Sequence, residues 1–292
     1  MMLLHDSEMK AQESTGQARE GEGGSRKAIM DSLPFESEFE SKRWEYVEIQ
    51  ESGGISALEE GRLRATVGMI PRGVATILEV GSGDGRIIHR LAGDYRQVVG
   101  IDHGYGRVRN LGKNGVCANS TQLPFPDHSF DLVLCCEVLE HLHDDVLSAT
   151  VAELARVSRK YILVSVPFKE NLKGLLIKCP ECQTIFHAWG HVRTFSNRDL
   201  DKLFESFRTV SRQFFGKRAA YFNQFVLRMN QRFGNRWAES SATTMCPRCG
   251  NTQFRRTGRN IVTIVCGIVN LLTSTLVPVS NRNWIFKLYT RK

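Results

Sequence analysis

The chain has 292 residues, 41% of them apolar and 24% charged, and a formal net charge of +8. Length and apolar content suit one large globular domain, or a domain with an insertion, and exclude a chain disordered throughout. The positive charge is local: from Arg208 to Asn260 there are eleven Lys or Arg and one acid, Glu239, which points to an anionic partner or to a solvated basic face.

Residues 1–33 are polar and rich in Gly, Ser and Glu, with no sustained apolar period, and are expected to be disordered. The opening MMLL is too short and too closely followed by acids for a signal peptide. Residues 34–72 carry two helical patterns, one around Trp44 and Tyr46, the other in ISALEEGRLRATVGMI. The pattern then changes to short apolar runs alternating with helical stretches. The runs are ATILEVG (75–81), QVVGID (97–102), GVCAN (115–119), FDLVLCCE (130–137) and YILVSVPF (161–168). Continuous apolar runs of this length read as strands buried on both faces, and their alternation with helices predicts an α/β, doubly wound parallel sheet. SNRDLDKLFESF (196–207) reads as a helix capped by Ser196 or Asn197. RTVSRQFFG (208–216) and NWIFKLY (283–289) are further candidate strands.

The first strand runs into Glu79-Val80-Gly81-Ser82-Gly83-Asp84-Gly85. Glycines between a strand and a helix let a ligand approach the backbone, because no Cβ intrudes. The second strand ends in Asp102, an acid placed to accept the hydroxyls of a ribose. The ExGxGxG stretch, with LPFPDHSFDLV (123–133), resembles the class I S-adenosylmethionine-dependent methyltransferases. The resemblance covers about residues 70–215 and the last strand. It implies a mostly parallel, seven-stranded Rossmann-like sheet that binds S-adenosylmethionine. By that likeness Glu79 would hold the cofactor's amino acid end, beside Gly81, Gly83 and Gly85. Asp102 would hold the ribose and Asn119 the adenine. Many relatives carry Asp where Asn119 stands. Its carbonyl oxygen can still accept from the adenine amine, without charge assistance.

At the end of the fourth strand comes CEVLEHL (136–142), with Glu137, Glu140 and His141 at a spacing that one helix face would gather. His191, in GHVRTFS, follows the fifth strand. Three readings stand: residues that shape the site by bonding to backbone, a general base that suits imidazole, or a Mg²⁺ or Mn²⁺ site. ExxEH resembles the motif of ubiquinone-type O-methyltransferases and of small-RNA 3′-end 2′-O-methyltransferases. In the RNA enzymes it holds a divalent ion together with a distant histidine. Either catalytic reading implies transfer to oxygen, with Glu137, Glu140, His141 and His191 as the chemical residues.

Cys179-Pro-Glu-Cys182 and Cys246-Pro-Arg-Cys249 each allow two thiolates to reach one ion, and together they predict a closed, structural Zn²⁺ site. The 63 residues between the pairs would make it a staple between distant segments. His187 and His191 are rival ligands. Cys117, Cys135, Cys136 and Cys266 lie in apolar runs and read as reduced core residues.

Between the pairs, KRAAYFNQFVLRMNQRFGNRW (217–237) mixes aromatics with basic residues. It can grip nucleic acid, lie on a membrane, act as a lid, or dock as an ordinary amphipathic helix. IVTIVCGIVNLLTSTLVPVS (261–280) has no charge but contains Asn270 and Pro278, and is expected to be a buried helix, not a transmembrane span. The organisation expected is a disordered 1–33, helices in 34–72, a cofactor-binding core in 73–215, an overlapping insertion in 172–260, and a C-terminal helix and strand in 261–292. The function expected is O-methylation of a small-molecule, glycan or lipid-linked hydroxyl by a cytoplasmic protein, with peripheral contact to an anionic membrane left open. RNA 2′-O-methylation and a non-catalytic, zinc-stabilised scaffold are the alternatives.

Overall fold

The computed structural model describes residues 56–218, 223–241, 244–254, 258–276 and 282–292. The expected disordered N-terminus and the pattern around Trp44 and Tyr46 lie outside these residues. The described elements are, in order, α1 (Ala57–Gly68), β1 (Thr76–Val80), α2 (Arg86–Leu91), β2 (Gln97–Asp102), α3 (Tyr105–Val108), β3 (Gly115–Cys117), β4 (Phe130–Cys136), α4 (Asp144–Val157) and β5 (Ser158–Pro167). They continue with β6 (Leu176–Lys178), β7 (Ile185–His187), α5 (Asn197–Leu203), β8 (Phe207–Arg218), α6 (Gln224–Arg232), α7 (Ile261–Leu276) and β9 (Arg282–Arg291).

Seven strands form one sheet in the order β3-β2-β1-β4-β5-β9-β8. Strands β1 to β5 run parallel, and β9 inserts antiparallel between β5 and β8. Successive side chains point to opposite faces, so each apolar run feeds two cores. Leu78, Val80 and Val133 enter the core on one face; Ile77, Leu132 and Leu134 enter the core on the other. Each such side chain, fully buried, contributes about 1.5–3 kcal/mol. The two edge strands are the exposed ones: β8 exposes Arg208 to Gln213, and β3 is half exposed, its Cys117 exposed rather than a core residue. Cys135 and Cys266 are buried and Cys136 is half-buried, its thiol pushed up to about 12 by burial.

The sequence order reverses between β1 and β4, and the crevice outside the carboxyl ends of these strands is where open α/β sheets bind ligands. One local signal acts as read: Ser196, not Asn197, caps α5, with Asp199 closing a capping box; Ser56 and Glu59 form the same box at α1. Two readings change. The residues after β4 make a single 3₁₀ turn, Leu139–His141, and α4 begins only at Asp144. The apolar helix α7 is not buried: Ile264, Val265, Ile268, Leu271 and Leu272 are exposed. No helix among the described residues is long and apolar enough to cross a membrane.

Candidate active site

Backbone geometry dictates the glycine loop. After β1, Gly81 (φ 77°) and Gly85 (φ 78°) adopt left-handed conformations that L side chains avoid. A Cβ at Gly81 would lie 2.4 Å from Val138 Cγ2, and one at Gly85 would lie 2.0 Å from Leu111 Cδ2. The loop is therefore pressed against the CEVLEHL stretch. The N–H groups of Gly81 and Ser82 donate to Ile101 O at 2.9 and 2.8 Å, locking the loop to β2. A Cβ at Gly83 would meet the Arg107 guanidinium at 3.0 Å, a neighbour that sequence reading did not single out.

Asp102 sits at the tip of β2. Its Oδ2 accepts from Gly83 N and its Oδ1 from Gly104 N, both at 3.0 Å. Each oxygen keeps a second lone pair for a ligand hydroxyl. Glu79 is buried, and its Oε2 has no hydrogen-bond partner among the described residues; the same holds for Ser82 Oγ. Burial, then the charges of Asp84 and Asp102, push the Glu79 carboxyl well above the usual range. A buried acid with one unpaired oxygen beside a glycine cradle fits a ligand with a cationic group and a ribose. Asn119 is exposed, and its Oδ1 accepts from Thr121 N and Oγ1 at 3.0 and 2.9 Å, so it first closes its own turn.

The Glu79 shift has a testable sign. The folded state holds a proton that the unfolded chain releases near 4.5. Stability from this group is full below that pH and declines as pH rises toward the elevated value. Glu79→Gln should therefore gain in melting temperature relative to wild type as pH rises from 4.5 to neutrality, by roughly 2–4 °C for each ~1 kcal/mol. A pH-independent difference in ligand-free thermal melts would refute the assignment.

The three residues of CEVLEHL separate. Glu137 has φ 57° and is still tied to the sheet, its N–H donating to Ser165 O at 2.9 Å. Its Oε2 accepts from Arg62 Nη1 and Trp284 Nε1, both at 2.7 Å, and its Oε1 from Ser165 Oγ at 3.1 Å. Glu137 thus clamps α1, β5 and β9 together, and the four residues expected to do chemistry do not gather as one set.

Glu140 is buried, and neither carboxylate oxygen has a hydrogen-bond partner among the described residues. Burial, then Glu137, pushes its carboxyl well above the usual range. Glu140, His141 and His191 offer ligand atoms within 4.8 Å of one another. The His141 and His191 rings meet edge to face at 4.8 Å. Val192 N donates to Glu140 O at 2.9 Å, and Arg193 Nε to Leu142 O at 2.8 Å, docking the GHVRTFS stretch on this turn.

Glu170, just past β5, was missed by sequence reading. Its Oε2 lies 2.5 Å from His191 Nδ1, and both residues are nearly buried. With Nδ1 so engaged, Nε2 is the nitrogen left to accept a proton or an ion. His187 stacks on His191 at 4.8 Å, but its Nδ1 accepts from Trp189 N and His191 N at 3.3 and 3.1 Å. In the neutral tautomer its proton is then on Nε2, which makes it a poor ligand.

The four cysteines of the two pairs meet. Their sulfurs lie within 4.8 Å of one another, with Cys179–Cys249 at 3.6 Å and Cys182–Cys246 at 3.5 Å. Each pair closes the same turn. Gln183 N donates to Cys179 O and Cys179 N to Thr184 O; Gly250 N donates to Cys246 O and Cys246 N to Asn251 O. The fifth residue of each turn, Gln183 (φ 61°) or Gly250 (φ 70°), is left-handed. Repeated turns that bring four sulfurs to a common point fit a tetrahedral zinc site. His187 and His191 are directed to the carboxylates instead.

Residues 78–161 match the methyltransferase domain family. A Mycobacterium tuberculosis protein described as a "Probable S-adenosylmethionine-dependent methyltransferase" is 36% identical over 98 residues, 31% of this chain and 35% of its own length. An uncharacterised protein of Methanocaldococcus jannaschii is 37% identical over 69 residues, 23% of this chain and 30% of its own. The chain thus spans about a third of the curated relatives it matches. The crystal structure of a SAM-dependent methyltransferase from Archaeoglobus fulgidus superposes with a TM-score of 0.52 at 17% identity, over 85% of this chain and 99% of that one. That likeness is one of fold.

Proposed function

We propose that this chain, whose core is a class I S-adenosylmethionine-dependent methyltransferase domain, transfers a methyl group to the hydroxyl of a small-molecule, glycan or lipid-linked acceptor. The carrying observation is the buried Glu170–His191 pair beside Glu140 and His141, at the edge where the glycine loop and Asp102 form the cofactor cradle. Glu79, Gly81, Gly83, Gly85, Asp102 and Asn119 would hold the cofactor. When bound, it supplies an electrophilic methyl group on a sulfonium. A hydroxyl attacks well only as its proton leaves. His191 is the group for that step: Glu170 holds the proton on Nδ1, Nε2 takes the acceptor's proton, and Glu170 then stabilises the imidazolium. Glu140 and His141 line the approach. Cys179, Cys182, Cys246 and Cys249 would hold a structural zinc ion that fixes the segment carrying His187 and His191.

A second reading is favoured by the convergence of Glu140, His141 and His191: a divalent ion that would bind and acidify the acceptor hydroxyl. Two imidazoles and one carboxylate suit Mn²⁺ or a later transition ion better than Mg²⁺.

Labelled S-adenosylmethionine offered separately to small-molecule, lipid and RNA fractions tests the reading. Alkali-stable label in the first two supports it; label confined to RNA or amines sinks it. His191→Ala should lower kcat by about 10²–10⁴-fold with cofactor affinity unchanged. Glu170→Gln should lose less, with the acidic limb of the pH profile displaced. Activity that survives EDTA favours the base; activity lost to EDTA and restored by Mn²⁺ favours the ion.

A further inference from the structure

Helix α7 is built inside out. Its inward stripe is Thr263, Cys266, Asn270 and Thr273, at helical spacing, buried or half-buried. Its outward face is Ile261, Ile264, Val265, Ile268, Leu271 and Leu272, between 53% and 78% exposed. There is no charged residue from 261 to 276. The inward contacts are polar: Asn260, which caps the helix, donates from Nδ2 to Gly234 O at 3.4 Å, and Asn270 Oδ1 accepts from Asn223 N at 3.3 Å. A helix that docks by its polar side and presents isoleucine and leucine to water has the reverse of ordinary amphipathic packing. A contiguous apolar face of this kind marks a surface that something else covers.

The flank identifies what. Helix α6 packs on α7 and exposes Phe225, Arg228 and Arg232, with Phe233 one residue beyond its end. The Arg232 guanidinium lies 5.6 Å above the Phe233 ring. Across 223–260 there are seven arginines and one acid, Glu239. Aliphatic side chains beside exposed aromatics and arginines match a bilayer interface. The first enter the acyl boundary, the rings sit at headgroup depth and the guanidinium groups meet lipid phosphates. A second copy docked on this face would bring two basic flanks together. At 16 residues the helix is about 24 Å long, short of the ~30 Å hydrocarbon core, so it lies on the surface.

We propose that α6 and α7 form a docking surface for an anionic lipid bilayer. The surface is wired to the catalytic segment. Gln224 Nε2 donates to Asn171 Oδ1 at 3.1 Å, Gln231 Nε2 to Lys173 O at 2.8 Å, and Ala238 N to Leu176 O at 2.9 Å. Residues 171–176 lie between Glu170 and His187, so docking braces the same stretch that forms the site.

Flotation with phosphatidylglycerol vesicles, against phosphatidylcholine vesicles, tests this on the full chain. Wild type should float with the anionic vesicles and be released by salt. Arg228→Gln with Arg232→Gln should weaken partitioning about thirtyfold, at about fivefold per charge near the surface. Ile264→Ser, Ile268→Ser and Leu272→Ser together should abolish it. Both variants alter exposed residues only and should keep the wild-type melting temperature and cofactor affinity. Undiminished flotation of the variants, or no flotation of wild type, overturns the proposal. So does light scattering that shows a dimer abolished by the serine variant. Wild type that binds S-adenosylmethionine but no vesicles tells against this surface alone; wild type that binds anionic vesicles but no S-adenosylmethionine tells against the methyltransferase reading alone.

Discussion

Asp102→Ala should reduce S-adenosylmethionine affinity by more than about a hundredfold in calorimetric titration. The carboxylate does two jobs from one position. It accepts from Gly83 N and Gly104 N, holding the glycine loop and the turn after β2 in register. On the proposed reading its remaining lone pairs would accept from the ribose hydroxyls. Each hydrogen bond to a charged group is worth about 1.5–3 kcal/mol, so two to the ribose correspond to roughly 150-fold to 10⁴-fold. Loosening of the loop adds to that. Asp102→Asn separates the contributions. It keeps one acceptor oxygen but turns an N–H₂ toward a backbone donor, so it should bind better than Asp102→Ala and much worse than wild type. The β2 core is made by Val98, Val99 and Ile101, so neither variant should unfold the sheet. Wild-type affinity in Asp102→Ala would remove the cradle from the cofactor site.

How far the sequence discloses this molecule depends on how far apart the interacting residues are. Strands β1, β2, β4 and β5 are legible because a strand buried on both faces must be a continuous apolar run. The glycine loop is legible because only glycine tolerates its backbone. The cysteine pairs are legible because CxxC fixes a turn locally, and the fold then brings two such turns together over 63 residues. The role of Glu137 is not legible: its partners Arg62, Ser165 and Trp284 are 75, 28 and 147 residues away. Its spacing to Glu140 suggests a shared helix face, but a left-handed residue at the strand end breaks that face. Glu170 gave only the signal of an acid just past a strand at the ligand edge of the sheet. An uncharged run such as 261–276 shows that a helix is apolar; it does not show which side the fold will cover.

The cysteine cluster carries the second large effect. Four free thiols within 4.8 Å, on two copies of one turn, cannot all be accommodated as isolated groups once ionised. Already Cys182 stands at about 6, burial being outweighed by hydrogen bonds from Thr184 and the facing cysteines. A dication removes the conflict. Structural zinc contributes about 10–16 kcal/mol in small peptide sites, comparable to the whole stability of a domain. The sheet has its own core, whereas 223–254 contributes few large buried apolar side chains, Val226 among them. Protein purified without added metal should therefore contain one zinc per chain by mass spectrometry. Cys182→Ser or Cys246→Ser should leave S-adenosylmethionine binding close to wild type but expose 223–254 to rapid proteolysis. Methyl transfer should fall more than tenfold, because the turn at Cys179–Cys182 leads directly into β7 and His187. The metal-free state should also lose vesicle docking, since α6 is braced by residues 171–176 on one side and followed by the second cysteine turn on the other. Zinc-free protein with unchanged protease resistance would mean that the thiols meet for another reason. A collapse of cofactor binding together with the insertion would mean that sheet and insertion fold as one unit.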